Sequence, residues 1–260
     1  MLGSGVQVPH GAHYVLTLTY WGVVCVSGVL SLYGTRSSKF WAEAPAKFDV
    51  LNLRAIFPSS SREGIPDLER CDWVPDVLGA WHMPRQREAA ARENGAVHFF
   101  LDDYRFETAF SSPERTVGRV LDVGGALEPN FSIYYDMPRV AQVWNTYRTR
   151  WCGAYWQSQG VKVIPTVCWA RSETFEFVFD GIPQGGTVAL SALGMGQKPE
   201  DIQIFVDGLR ELVDRVQPST ILSYGKLRHV PDSLSLPTVR EYPTFWDMRR
   251  KMLKAANGSG

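Results

Sequence analysis

TVALSALG at Thr187–Gly194, PEDIQIFVDGLRELVDRV at Pro199–Val216 and STILSYG at Ser219–Gly225 decide the fold class. The first and last are short β-branched, apolar runs of strand length. Between them Ile202, Ile204, Phe205, Leu209, Leu212, Val213 and Val216 recur near helical spacing, which predicts an amphipathic helix. A strand, a helix and a second strand imply a parallel pair joined by a right-handed crossover.

The pattern continues upstream. AVHFFLDD (Ala96–Asp103), FSIYYD (Phe131–Asp136), VKVIPTVCW (Val161–Trp169) and FEFVFDG (Phe175–Gly181) read as further strands, several apolar without alternation, as for strands buried on both faces. Pro113–Leu121 and Pro138–Gln159 fit helices between them. PRQREAAAREN at Pro84–Asn94 predicts another, with Pro at its start and Gly95 past its end. The expected class is therefore α/β with a mostly parallel sheet, barrel-like (β/α) or an incomplete barrel, an open doubly wound sheet being the other arrangement. Only GIPQGG separates the runs at Phe175 and Thr187, which predicts a hairpin there. Pro165 inside VIPTVCW predicts a bulge that turns Thr166 or Trp169 toward a cleft.

Four segments follow. Residues 84–247 are the α/β core, and residues 248–260 a basic helix end and tail carrying Arg249, Arg250, Lys251 and Lys254. Residues 37–83 are an irregular wrap punctuated by Pro45, Pro58, Pro66 and Pro75. Residues 1–36 are an apolar leader whose first charged side chain is Arg36. The run from Tyr14 to Tyr33 is long enough to cross a bilayer, but Thr, Ser and Gly dilute it and no Lys or Arg precedes it. A pair of strands, a membrane segment and sequence from an upstream translation start all remain open for it, with a soluble chain favoured.

Lys and Arg together number 27, as do Asp and Glu, so no global field draws this chain to nucleic acid. The four cysteines, Cys25, Cys71, Cys152 and Cys168, form no CxxC pair, which argues against a zinc ribbon or redox motif and makes the cytoplasm the expected compartment. His82 and His98 are isolated, so a histidine-built metal site has little support. No GxGxxG or GxxxxGK[ST] loop provides a nucleotide-cofactor motif, and no GxSxG elbow supports a triad hydrolase.

In parallel α/β folds, ligands collect where strands end. Those ends carry Asp102, Asp103, Asp136 and Asp180, the candidate catalytic acids, able to serve as general acid or base or to hold a divalent metal. Arg105 follows the first pair, and helix capping with an ion pair to Arg105 is the structural alternative for these acids. Ser191 and Tyr224 close two later strands. Arg148 is a candidate anion clamp, or a bridge to a strand-end acid. Trp169 is a candidate stacking wall for a sugar or base, or a roof over the core.

FFLDDYRFE, PNFSIYYDMPR, NTYRTRWCGAYWQ, GVKVIPTVCW, FEFVFDGIP and SYG, in this order from Phe99 to Gly225, closely resemble the family known as domain of unknown function 4417, met in bacteria, prophages and other mobile elements. The resemblance implies a soluble intracellular protein encoded by a phage or mobile element, and it brings no catalytic residues to carry over. Asn130 stands where that family usually has aspartate, so it is not among the candidate acids. Two functional readings result. One is an enzyme with a carboxylate-based site acting on a sugar-, nucleoside- or nucleotide-like small molecule. The other is a non-catalytic accessory protein of a phage or mobile element, in which the same acids are helix caps and ion pairs.

Overall fold

Every strand pairing from Leu78 onward is parallel. A computed structural model describes residues 24–26, 29–31, 49–196 and 198–257 of the chain, which divides into two units, Met1–Ile56 and Phe57–Gly260. In the first, β1 (Val24–Val26) and β2 (Val29–Ser31) form an antiparallel pair, one of the arrangements expected for the apolar run. The rest of that leader lies outside the described residues. Among the described residues, no helix is long and apolar enough to cross a membrane.

The second unit carries two sheets. In the first, β3 (Leu78–Ala80), β4 (Ala96–His98), β5 (Gly125–Leu127) and β6 (Lys162–Ile164) lie side by side in chain order. In the second, β7 (Thr187–Ser191), β8 (Thr220–Tyr224) and β9 (Thr238–Tyr242) do the same. The α/β class follows directly. Strand order never reverses within either sheet, as it would at the switch point of a doubly wound sheet. Nor do the described strands close a barrel. Between β9 and the chain just before β3 the bonds come from side chains: Tyr242 Oη donates to Pro75 O at 2.5 Å, and Arg240 donates to Asp76.

Pro165 makes no bulge. The chain leaves its pairing with β5 after Ile164 and joins β7 through a bridge between Thr166 and Ala189. Ala189 N donates to Pro165 O at 2.8 Å and Val167 N to Ala189 O at 2.8 Å, so the N–H that proline lacks is not needed.

The helices form where expected, the one at Pro113–Leu121 as two short pieces. Pro84 starts α1 (Pro84–Arg92), and Gly95 packs so closely on Ala90 that a Cβ would fall 2.8 Å from it. Short helices α2 (Thr108–Ser111), α3 (Pro113–Thr116) and α4 (Gly118–Leu121) occupy the next connection. The longest, α5 (Arg139–Ser158), follows Pro138. Then α6 (Pro199–Val216) starts on Pro199 with Glu200 and Asp201 in its first turn, and ends on Gln217 in the left-handed region. It buries Phe205, Leu209, Leu212 and Val216 against Val188, Leu190 and Ile221 in one core cluster. At about 1.5–3 kcal/mol for each fully buried side chain, that face is what holds α6 down. A last helix, α7 (Phe245–Asn257), follows β9.

Two expected strands are absent. Phe131–Asp136 has no strand pairing, and Ser172–Glu176 is a 3-10 turn leading into further turns, so no hairpin joins it to β7. Both runs are apolar because they lie on the core: Ile133, Phe175, Phe177 and Phe179 pack in the same cluster as α6. The second sheet contributes Ala189, Leu222, Tyr224 and Tyr242 to a second cluster, together with Leu127 and Ile164 of the first.

Candidate functional site

Ala80, His98, Ser191 and Tyr224 are the last residues of β3, β4, β7 and β8, and all four line one cleft of about 530 Å³. Parallel strands expose their C-terminal ends on the same side, so the loops that follow them converge. The loop after β4 adds Asp102 and Arg105, the loop after β5 adds Asn130, and α7 adds Phe245 and Trp246.

His98 is the buried group of this cleft. Its ring lies 4.7 Å from that of Tyr224, and its Nδ1 accepts a hydrogen bond from Phe100 N at 3.3 Å. Burial pushes its pKa down to about 3, so the imidazole is neutral. Tyr224 is itself buried, and its hydroxyl accepts from Phe245 N at 2.9 Å, tying β8 to the start of α7. At the rim, exposed Asp102 accepts from Arg105 Nε at 3.3 Å. His82 also lines the rim; burial, then the nearby charges of Arg105 and Arg87, hold its pKa below the ordinary value.

A smaller cavity of about 180 Å³ shares Asn130 and Ser191 with the cleft. Its wall includes Trp169, Phe205 and Leu190, with Asp201 also lining it. Trp169 Nε1 donates to Ile204 O at 3.2 Å, and its ring lies on Gly208, where any Cβ would collide with the indole. Ser191 Oγ accepts from Leu193 N at 3.2 Å.

The nine candidate residues therefore separate. Asp102, Arg105, Ser191 and Tyr224 line the cleft, and Trp169 lines the adjoining cavity. Asp103 faces the other way: its carboxylate accepts from Ser132 N at 3.0 Å and from Ser132 Oγ at 2.8 Å, pinning the loop that follows β5. Asp136 is exposed in the turn that leads into α5. Asp180 is half-buried, and burial with the charge of Glu63 raises its pKa, but it lines neither cavity. Arg148 is engaged as an anion clamp within the protein: Nη1 lies 2.8 Å from both oxygens of Glu107, Nε donates to Asn145, and the guanidinium sits 3.8 Å over Phe131. Arg148, Asp136 and Asp180 thus do not converge with Asp102.

Asn130, His98, Trp246 and Asp201 were not among the candidates, although each lines one of these cavities. Asn130 and His98 sit at or just past strand ends, where the same rule finds them. Trp246 lies beyond β9, which the sequence pattern does not reveal. Outside the cleft lining, Glu128 and Arg150 are fully buried and paired. Arg150 also donates to the carbonyl oxygens of Thr166, Val178 and Asp180, and Glu128 Oε2 accepts from Thr166 N at 3.0 Å. Among the described residues, no group of three or more His, Cys, Asp or Glu is placed to hold a metal ion. Cys71, Cys152 and Cys168 are free thiols. Burial raises the pKa of each, strongly for Cys152.

A family model described as a domain of unknown function (DUF4417) matches residues 57–243. The chain is 59% identical over 229 residues to the Gene 1 protein of Mycobacterium phage L5, a match spanning 88% of this chain and all of that protein. It is 60% identical over 225 residues to the Gene 1 protein of Mycobacterium phage D29, covering 86% of this chain and 83% of that protein. No solved structure matches.

Proposed function

The chain belongs to the DUF4417 family, and from its cleft we propose that it binds a small nucleoside- or nucleotide-like molecule at the C-terminal ends of its parallel strands. One observation carries this reading. A single cleft of about 530 Å³ gathers a carboxylate, a guanidinium, a hydroxyl and an amide against the aromatic faces of Phe100, Phe245 and Trp246. That volume falls within the usual range of roughly 300–1,000 Å³ for a small-molecule site. Aromatic faces stack on planar or ring-shaped ligands, and the polar groups orient them.

Any acid–base step belongs to His82, a titratable side chain on the rim of the cleft. His82, with its lowered pKa, is neutral there and suits a base. A two-carboxylate reaction draws no support from the geometry, because Asp103, Asp136 and Asp180 lie off the cleft. A second reading, a non-catalytic accessory protein in a phage relative, is favoured by Asp103 and Arg148 being spent on internal bonds.

Isothermal titration calorimetry of the full chain with nucleosides, nucleoside monophosphates and ribose 5-phosphate, with and without Mg²⁺, tests the proposal. Binding by wild type that weakens in Trp246→Ala is expected, as for one lost aromatic contact with a ring of the ligand. No heat from any compound would overturn it in favour of the accessory protein.

A further inference from the structure

The smaller cavity is built differently from the cleft it adjoins, and the difference names what each part holds. At about 180 Å³ it is too small for a whole ligand, since pockets that enclose one start near roughly 300 Å³. Its walls are Trp169, Phe205, Leu190 and Val167, flat or apolar surfaces with the indole nitrogen already bonded to Ile204 O. Trp169 therefore offers the ligand its ring face and no donor. Asp201, half-buried in the first turn of α6, also lines the cavity, and its carboxylate makes no hydrogen bond or ion pair among the described residues. Asn130 and Ser191 line both cavities. The Asn130 side chain likewise has no hydrogen-bond partner among the described residues, while Ser191 Oγ accepts from Leu193 N and keeps its own proton free to donate. The larger cleft has Arg105 on its wall and the exposed Trp246 beside it.

We infer that the two cavities take the two halves of one nucleotide. The base enters the smaller cavity against Trp169 with its N–H donors on Asp201, and the sugar and phosphate lie in the larger cleft toward Arg105. Asn130 and Ser191 hold the junction between the halves. An apolar slot with flat walls fits a planar heterocycle. A lone carboxylate acceptor selects a ring that carries N–H donors, because a ring without them leaves Asp201 desolvated and unpaired. Arg105 supplies the complementary charge for a phosphate at the open end.

This inference rests on the reading that the cleft binds nucleoside- or nucleotide-like molecules, and one calorimetric series separates the two. The probes are adenosine, purine riboside (which lacks the exocyclic amino group), adenosine monophosphate and ribose 5-phosphate, each with the full chain. Three results are expected. Trp169→Leu weakens both nucleosides and the monophosphate by about tenfold or more, the effect of one stacking contact, and leaves ribose 5-phosphate unchanged. Asp201→Asn removes the preference for adenosine over purine riboside. Arg105→Ala weakens the monophosphate toward the affinity of the nucleoside. Gly208→Ala drives a methyl group into the Trp169 indole and should reproduce Trp169→Leu, and circular dichroism with thermal melts confirms that each variant is folded. If wild type binds these compounds but Trp169→Leu and Asp201→Asn bind them equally well, the base does not occupy the smaller cavity and the inference fails while the cleft reading stands. If wild type binds none, both fail together.

Discussion

Arg150 Nη1 donates to Glu128 Oε2 inside the fold, with both side chains sealed from solvent. Arg150 comes from the middle of α5 and Glu128 from the residue just past β5, so the pair fastens that helix to the first sheet. Three carbonyl oxygens share the guanidinium, from Thr166, Val178 and Asp180. Val178 and Asp180 belong to the loop that replaces the expected hairpin and Thr166 to the bridge onto β7, so Arg150 ties the two together. Replacing Arg150 with Met should therefore cost about 3–5 kcal/mol, the usual result of leaving one member of a buried pair alone. Urea unfolding measures it. A loss under about 1 kcal/mol, the scale of a surface ion pair, would show that the pair does not carry this load.

The same carboxyl and His98 give stability two opposed pH dependences. Burial raises the Glu128 pKa to about 7, against the partial opposition of Arg150. In the unfolded chain it ionises near 4.5, so from pH 4.5 to 7 the folded state holds the extra proton and stability falls as pH rises. Burial lowers the His98 pKa from 6.5 to about 3. Over that window the unfolded state holds the extra proton, and stability is lost as pH falls. The two windows overlap between pH 4.5 and 6.5, where the slopes oppose. Glu128→Gln should expose the histidine slope and become steeply less stable on acidification from pH 6.5. His98→Phe keeps a ring in the stack on Tyr224 and should lose stability on raising the pH from 4.5 to 7. Parallel urea titrations at half-unit pH steps check both, and identical profiles for the two variants would refute the assignment.

How far the chain could be read in advance follows from element length and from what each run packs against. Four strands, β4, β6, β7 and β8, and the helices α1, α3, α4, α5, α6 and α7 announce themselves through apolar runs, helical spacing or composition. By contrast, β3 (LGA) and β5 (GAL) are three residues long and contain glycine; a Cβ on Gly79 would fall 2.6 Å from Gln86 O, and one on Gly125 would strike the Trp73 ring. Their glycines mark close backbone approach, which weakens any strand signal. The last strand, β9, carries Arg240 and Glu241 and pairs on one side alone, with β8, so it lacks the buried pattern. The false strands erred in the other direction, since an apolar aromatic loop packed on a core reads like a buried strand. The site divides in the same way. Asp102, Ser191 and Tyr224 follow from strand ends, whereas the bonds that occupy Asp103 and Arg148 join residues 29 and 41 positions apart. Nothing local encodes such distances.

Gly153 should behave against helix propensity. A glycine inside a helix normally gains about 1 kcal/mol on replacement by alanine. Here a Cβ would strike the Glu128 carboxylate and lie 3.0 Å from its Cγ. Gly153→Ala is therefore expected to destabilise by about 1–3 kcal/mol, the scale of overpacking a filled core. In the background of Glu128→Ala the same change should cost markedly less, because the colliding group is gone. Additive losses in this double-mutant cycle would place the cost elsewhere.

The cap of α7 should govern the cleft without touching a ligand. Thr244 Oγ1 accepts from Asp247 N at 3.2 Å, and Asp247 Oδ2 accepts from Thr244 N at 3.0 Å, a reciprocal capping box at TFWD. These bonds from Thr244, with Arg250 nearby, hold the Asp247 pKa down to about 2. The unfolded carboxyl titrates near 3.8, so the cap is fully in force above that value and is lost as pH falls through 2. Phe245 and Trp246 are the first two residues of the helix and form one wall of the cleft, while Phe245 N is also held by Tyr224 Oη. Thr244→Ala should cost about 0.5–2 kcal/mol, as for a lost N-cap. More tellingly, it should weaken ligand binding by freeing Trp246, and Tyr224→Phe should do the same from the other side of the same joint. Trp246→Ala combined with Thr244→Ala should then bind no worse than Trp246→Ala alone, because the cap acts on the cleft through that ring. Calorimetry on these four variants decides it, and a further loss in the double variant would mean that Thr244 serves the site by some other route.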